Sequence, residues 1–207
     1  MQKTLITSAL ALALGAAAMP AFAQSAGDWT LGVGVHAVDP KSDNGSLANG
    51  ALKVDVDTDI KPTLTFEYFV RDNLGIEVIA AWPFEHDISI DGLGTVGSTK
   101  QLPPTVSLQY HFNSKGKVSP FIGAGVNYTT FFSEDTRGAL AGSKLKLDDS
   151  WGLAAHAGID FAVGERSAIR VDARWIDIDT DVKLDGAGIG TVNIDPIVYG
   201  AAYVMKF

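Results

Sequence analysis

Few residues in this 207-residue chain combine the type and the spacing that chemistry requires. The histidines His36, His86, His111 and His156 are dispersed, and no pair has the spacing of an HExxH zinc helix. Cysteine is absent, which removes disulfides, thiolate nucleophiles and Cys-ligated zinc together. No serine stands in a GxSxG elbow, and Gly186-Ala187-Gly188-Ile189-Gly190 precedes no helical pattern that could aim backbone N–H groups at a phosphate. That stretch reads as a flexible turn. Two acidic alternations, Asp55-Val56-Asp57-Thr58-Asp59 and Asp177-Ile178-Asp179-Thr180-Asp181, resemble the opening of a calcium loop but lack its glycine and distal glutamate. On strand periodicity Asp177, Asp179 and Asp181 form an outward collar, either solvated or bridged by divalent ions. The expectation is a protein that is not an enzyme, with no cofactor and no metal centre. A barrel acyltransferase or deacylase would need a Ser/His pair at the outer membrane boundary, and no convincing pair is found.

A larger set of polar residues recurs on alternate positions, where the chemistry is ion pairing. Glu67, Glu77, Gln109, His111, His156, Asp160, Arg170, Asp172, Arg174 and Lys206 share one phase of their segments. Buried together, such groups must pair, because an unpaired buried charge is very costly. The same phase turns apolar farther along, at Val38, Ile79, Ala81, Pro83, Phe131, Ile176, Ile178, Val182, Val192, Ile194 and Val198.

Only strands could hold these two groups in register, and the opposite phase shows the strands. Trp29, Leu31, Val33 and Val35 alternate in the first segment, and Leu64, Phe66, Tyr68 and Val70 in the second. Leu74 to Trp82, Val106 to Phe112, Ile122 to Phe132, Trp151 to Phe161 and Ile169 to Trp175 continue the pattern, and Ile197 to the terminal Phe207 closes it. Short turns near 71–73, 113–117 and 164–167 interleave with long polar loops near 39–59, 85–103, 133–149 and 183–191. The outward aromatic residues fall in two rows, with Trp29, Tyr68, Tyr110, Phe112, Phe161, Tyr203 and Phe207 near one rim and Trp82, Phe132, Trp151 and Trp175 near the other. Even strand number, short turns on one side, long loops on the other and two aromatic girdles describe an all-β transmembrane barrel, here eight-stranded, antiparallel and up-and-down.

The first 23 residues read as a cleavable leader: Lys3 gives positive charge, Leu5 to Ala18 an apolar stretch, and Ala21-Phe22-Ala23 a cleavage site. Residues 24–207 would then form one barrel domain in the cell outer membrane. Loss of Lys3 takes the net charge from -8 to -9, which argues against nucleic acid as a partner. Expected partners are outer-membrane lipid and lipopolysaccharide, and small hydrophobic solutes. The last strand, ending in Phe207, resembles the signal read by the barrel-assembly machinery of exported barrels.

A bore of eight strands is only just wide enough to be filled by side chains or to hold one small ligand. The charged group therefore reads as a lumen plug, and the apolar group as a vestibule open to the outside that would take a small hydrophobic molecule. Filler of a structural or receptor barrel is the alternative, as is a narrow pore for ions or small polar solutes. The chain also resembles the OmpW family of outer-membrane proteins, which includes alkane-uptake members. The resemblance rests on KQLPPTVSLQYHF at 100–112, PFIGAGVNYTTFF at 120–132, DSWGLAAHAGIDF at 149–161, and Trp175 to Thr180. It implies a narrow hydrophobic channel with a lateral route into the membrane.

Overall fold

Alternating apolar and polar side chains leave each segment with one face suited to lipid and a backbone that must find all its partners in neighbouring strands. The computed structural model describes residues 22–207. All of the expected leader except Phe22 and Ala23 lies outside the described residues. Eight long strands meet the backbone requirement: β1 (Trp29–Asp39), β2 (Asp59–Arg71), β3 (Leu74–Ala81), β4 (Thr105–His111), β5 (Val118–Thr136), β6 (Ser150–Gly164), β7 (Ser167–Ile176) and β8 (Ile197–Lys206). Each pairs antiparallel with the next, and β8 returns to β1 in a ladder from Thr30↔Lys206 to Asp39↔Ile197. The sheet closes without an edge, as the alternation predicts. No helix among the described residues is long and apolar enough to cross a membrane.

Burial follows the pleat. Along β4, Val106, Leu108 and Tyr110 are exposed while Ser107, Gln109 and His111 are buried between them. The aromatic residues of the lower row touch one another: Trp29 stacks on Phe207 at 4.4 Å, and Tyr110 meets Phe112 edge-on at 5.2 Å. On the upper row Tyr128 lies 4.8 Å from Trp151. Inside, bulky polar side chains need glycine opposite them. A Cβ at Gly75 would fall 2.2 Å from Glu67 Oε1, and one at Gly123 would fall 2.3 Å from His156 Nε2.

The expected long loops are the main departure, because they are largely strand. Residues 39–59 contain Ser46–Leu47 and Leu52–Val56; residues 84–102 form a hairpin of Phe84–Ile90 and Gly94–Leu102. Leu145–Leu147 pairs with Asp179–Leu184, which pairs in turn with Ala187–Asn193. The glycine stretch at 186–190 is not a flexible turn but the start of this last strand, after a two-residue Asp185-Gly186 turn with φ of 51° and 85°. These pieces continue the barrel beyond its outer aromatic row, and their apolar residues close over a common core that takes in Leu47, Val54, Val56, Leu147, Val182 and Val192. Burial of that core accounts for strands where polar composition suggests loops.

Candidate functional site: a charged floor beneath an apolar cavity

Inward positions on six strands bring the polar residues together in the bore. Arg170 on β7 is its centre. Its Nε and Nη2 donate to the two oxygens of Asp160 on β6 at 2.8 and 2.9 Å, Nη1 donates to Glu77 Oε2 on β3 at 2.8 Å, and Nη2 reaches Glu67 Oε2 on β2 at 3.2 Å. The guanidinium also stacks over Phe121 of β5, 4.4 Å from the ring centre. Arg174, two inward steps above, donates from Nη2 to Glu77 Oε1 at 2.6 Å.

Imidazoles and an amide complete the layer. A carboxylate can only accept, so His111 Nε2 donates to Glu67 Oε1 at 2.9 Å, and Gln109 Nε2 donates to Glu67 Oε2 at 3.0 Å. Gln109 Oε1 then accepts from His156 Nε2 at 2.7 Å. His36 on β1 donates from Nε2 to Asp172 Oδ1 at 3.1 Å, and its Nδ1 is hydrogen-bonded with the Thr63 hydroxyl at 2.6 Å. All these residues are buried. A charged layer tied to so many strands fills the bore as a floor.

Glu67, Glu77, His111, His156, Asp160, Arg170, Asp172 and Arg174 thus meet where the phase places them. Lys206 does not join them. Its Nζ stands 3.4 Å from Asp28, which ties it to the segment before β1 at the lower rim, and it also donates to the carbonyl of Ala23, the last residue of the expected leader. Lys206 lies at the very end of β8, below the layer. His36 was not among the expected members, although the outward run Trp29, Leu31, Val33, Val35 puts it on the inner phase.

Above the floor the inner surface is largely apolar. Val38, Phe131, Ile176, Ile178, Val182, Val192, Ile194 and Val198 belong to one buried cluster, joined by Phe84, Ala154 and the extension's aliphatic residues. Ile79 is buried beside it. Pro83 is the exception, being half-buried and outside the cluster. Proline has no N–H for a ladder, so the chain leaves β3 after Ala81 and resumes as strand at Phe84. The period-two count slips by one there, and Phe84 takes the inward place.

Two cavities adjoin this cluster. The outer one holds about 680 Å³ of atom-free space, part of it open to solvent, and is lined by the extension, from Leu47 and Val54 to Phe131, Leu147 and Ile194. The lower one, about 300 Å³ on the same measure, lies between Val38, Phe84, Ile176 and Val198 and has Arg174 in its lining. Ala80 and Pro103 also line it. Ala80 points outward, and the β3–β4 ladder stops at Ile79↔Thr105, so this cavity abuts a break in strand pairing.

The expected aspartate collar is rearranged. Asp177, Asp179 and Asp195 bring carboxylate oxygens within 4.8 Å of one another, whereas Asp181 turns away to accept from Thr191 at 2.6 Å. Burial, with Asp179 and Asp195 adding repulsion, holds the Asp177 carboxyl above the usual range. Lys41, 2.7 Å from Asp195, and the Asn193 amide on Asp179 offset part of that repulsion.

The OmpW family model matches residues 25–207. The chain belongs to the OmpW family. Outer membrane protein W of Vibrio cholerae is 37% identical over an alignment of 219 residues that covers the whole of both chains. Outer membrane protein AlkL of Ectopseudomonas oleovorans is 32% identical over 196 residues, covering 86% of this chain and 82% of that one. The crystal structure of OprG from Pseudomonas aeruginosa superposes with a TM-score of 0.81 at 35% identity, covering 90% of this chain and 99% of that one. This OmpW-family chain is therefore an outer-membrane β-barrel. Relatives in the family are named as membrane proteins and not as enzymes.

Proposed function

We propose that the barrel passively admits small hydrophobic molecules from outside, holds them in its apolar upper half and releases them sideways into the membrane. The observation that carries this reading is the lower cavity, whose walls are mostly apolar with Thr63 and Thr105 among them, with Arg174 in its lining and a flank at the Ala80–Pro103 break. A molecule descending from the outer cavity meets mostly apolar surface as far as Arg174. Passing farther means breaking a buried ion-paired layer, in which each unpaired charge costs several kcal/mol. Turning aside between β3 and β4 exposes the molecule only to lipid. Partition down a gradient needs no cofactor and no covalent step, and the floor argues against a pore for ions or polar solutes. Resemblance to a family with alkane-uptake members points the same way. The rows of Trp and Tyr would seat the barrel at the lipid and lipopolysaccharide interfaces, and the strand ending in Phe207 would serve its assembly.

Ile178 and Ile194 are buried in the apolar cluster. Replacing both with Asp places carboxylates on the route and should abolish uptake of an apolar solute into vesicles whose outer leaflet is lipopolysaccharide. Uptake at the unsubstituted rate by the folded double variant would refute the proposal.

A further inference from the structure

The outer cavity is not uniformly apolar, and its polar residues sit together on one hairpin. Its lining is aliphatic or aromatic except for His86, Thr99 and Gln101, on the paired strands Phe84–Ile90 and Gly94–Leu102. Thr99 spends its hydroxyl on the Lys100 carbonyl at 3.4 Å. His86 Nδ1 lies 2.6 Å from the Asp57 carbonyl oxygen, which can only accept, so Nδ1 carries a hydrogen. In a neutral ring Nε2 is then an acceptor, and the neighbour 3.0 Å away is Gln101 Nε2, which donates to it. This fixes the amide orientation of Gln101 and leaves Oε1 as its free end.

That oxygen is fully buried and has no hydrogen-bond partner among the described residues. The neutral state of His86 has independent support: burial, the largest influence, lowers its pKa from 6.5, outweighing the Asp57 carbonyl bond and the Asp57 and Asp59 carboxylates, while Lys61 adds to the lowering. A carbonyl oxygen kept from water without a donor retains its desolvation penalty, and a ligand group that donates to it recovers that loss.

We infer that the outer cavity selects apolar molecules carrying one hydrogen-bond donor, a hydroxyl or N–H group, over equally apolar molecules without one, and that Gln101 Oε1 receives that donor. The inference rests on the cavity being a solute site and adds the chemical class of the solute. A buried acceptor discriminates sharply because the analogue without a donor leaves it unpaired, whereas aliphatic walls distinguish solutes only by size.

The test uses the full barrel in lipid nanodiscs, with binding followed by NMR of the cavity methyl groups and the Gln101 side-chain amide. The probes are 1-hexanol and dipropyl ether, which have the same heavy atoms but differ in the donor, and heptane. The hexanol-to-ether affinity ratio is expected to fall about tenfold from the unsubstituted protein to Gln101→Leu, with ether affinity unchanged. Gln101→Met provides a second apolar variant, and folding of each is checked by heat-modifiable gel migration. A ratio that is the same in the unsubstituted protein and in a folded variant overturns the inference. If heptane and ether bind and the ratio does not move, the donor preference alone fails. If none of the three probes binds, the reading of the cavity as a solute site fails with it.

Discussion

Single side chains set the local terms, and His86 shows how. Burial lowers its pKa from 6.5, while hydrogen bonding to the Asp57 carbonyl and the Asp57 and Asp59 carboxylates raise it by less. The unfolded hairpin therefore takes up a proton below pH 6.5, and the folded one only at lower pH. The contribution of His86 to stability is complete above 6.5 and is lost progressively as pH falls from 6.5 to the folded value. Protonation would also put a hydrogen on Nε2, opposite the donating amide of Gln101. Amide hydrogen exchange across residues 84–102, corrected for intrinsic rates, should show weaker protection at acid pH than at neutral pH, and His86→Gln should flatten that dependence. Equal protection at both pH values in the unsubstituted protein would count against this account. Such a residue is not legible in the sequence: His86 falls in a segment rich in Glu and Asp, and only the fold reveals its burial.

At the scale of elements, what the sequence discloses depends on how cleanly two faces alternate. In the barrel strands one face meets lipid and tolerates no charge, so Leu64-Phe66-Tyr68-Val70 and its counterparts mark the phase, and with it the inward floor residues. In the extension the outward face meets water instead of lipid and carries Asp and Lys, so the apolar face stands out less and short strands such as Leu52–Val56 pass for loop. Pro83 hides a one-residue slip that no period-two count can carry across, and Lys206 obeys the phase but lies too near the rim. Asp185-Gly186 was a readable signal, because a two-residue Asp-Gly between apolar alternations suits a type I′ turn. Both residues have positive φ, at 51° and 85°. Gly186→Val puts a β-branched residue in that conformation and should cost about 1 kcal/mol or more, confined to the hairpin. Hydrogen exchange should rise over residues 179–193 while the heat-modifiable shift of the barrel stays the same. An equal loss of protection in β1 to β8 would show that the extension and the barrel unfold as one unit.

For the whole molecule, the floor and the apolar upper half divide the work between closure and passage. Arg170 alone ties β7 to β6, β3 and β2 across the bore, and its carboxylate partners Asp160, Glu77 and Glu67 are as buried as it is. Arg170→Met keeps the bulk but leaves those charges without their shared cation, and stability should drop by about 3–5 kcal/mol in urea unfolding from lipid vesicles. The proposed route leaves the bore above this layer, at the Ala80–Pro103 break, so apolar uptake by the folded Arg170→Met barrel should stay within about twofold of the original, because no binding contact worth more than a fraction of RT is removed from the path. Stability and uptake would then respond to different residues, the first to Arg170 and the second to Ile178 and Ile194. If instead uptake collapses in an Arg170→Met barrel that remains folded, the charged layer is part of the path, and passage through the bore replaces the sideways exit.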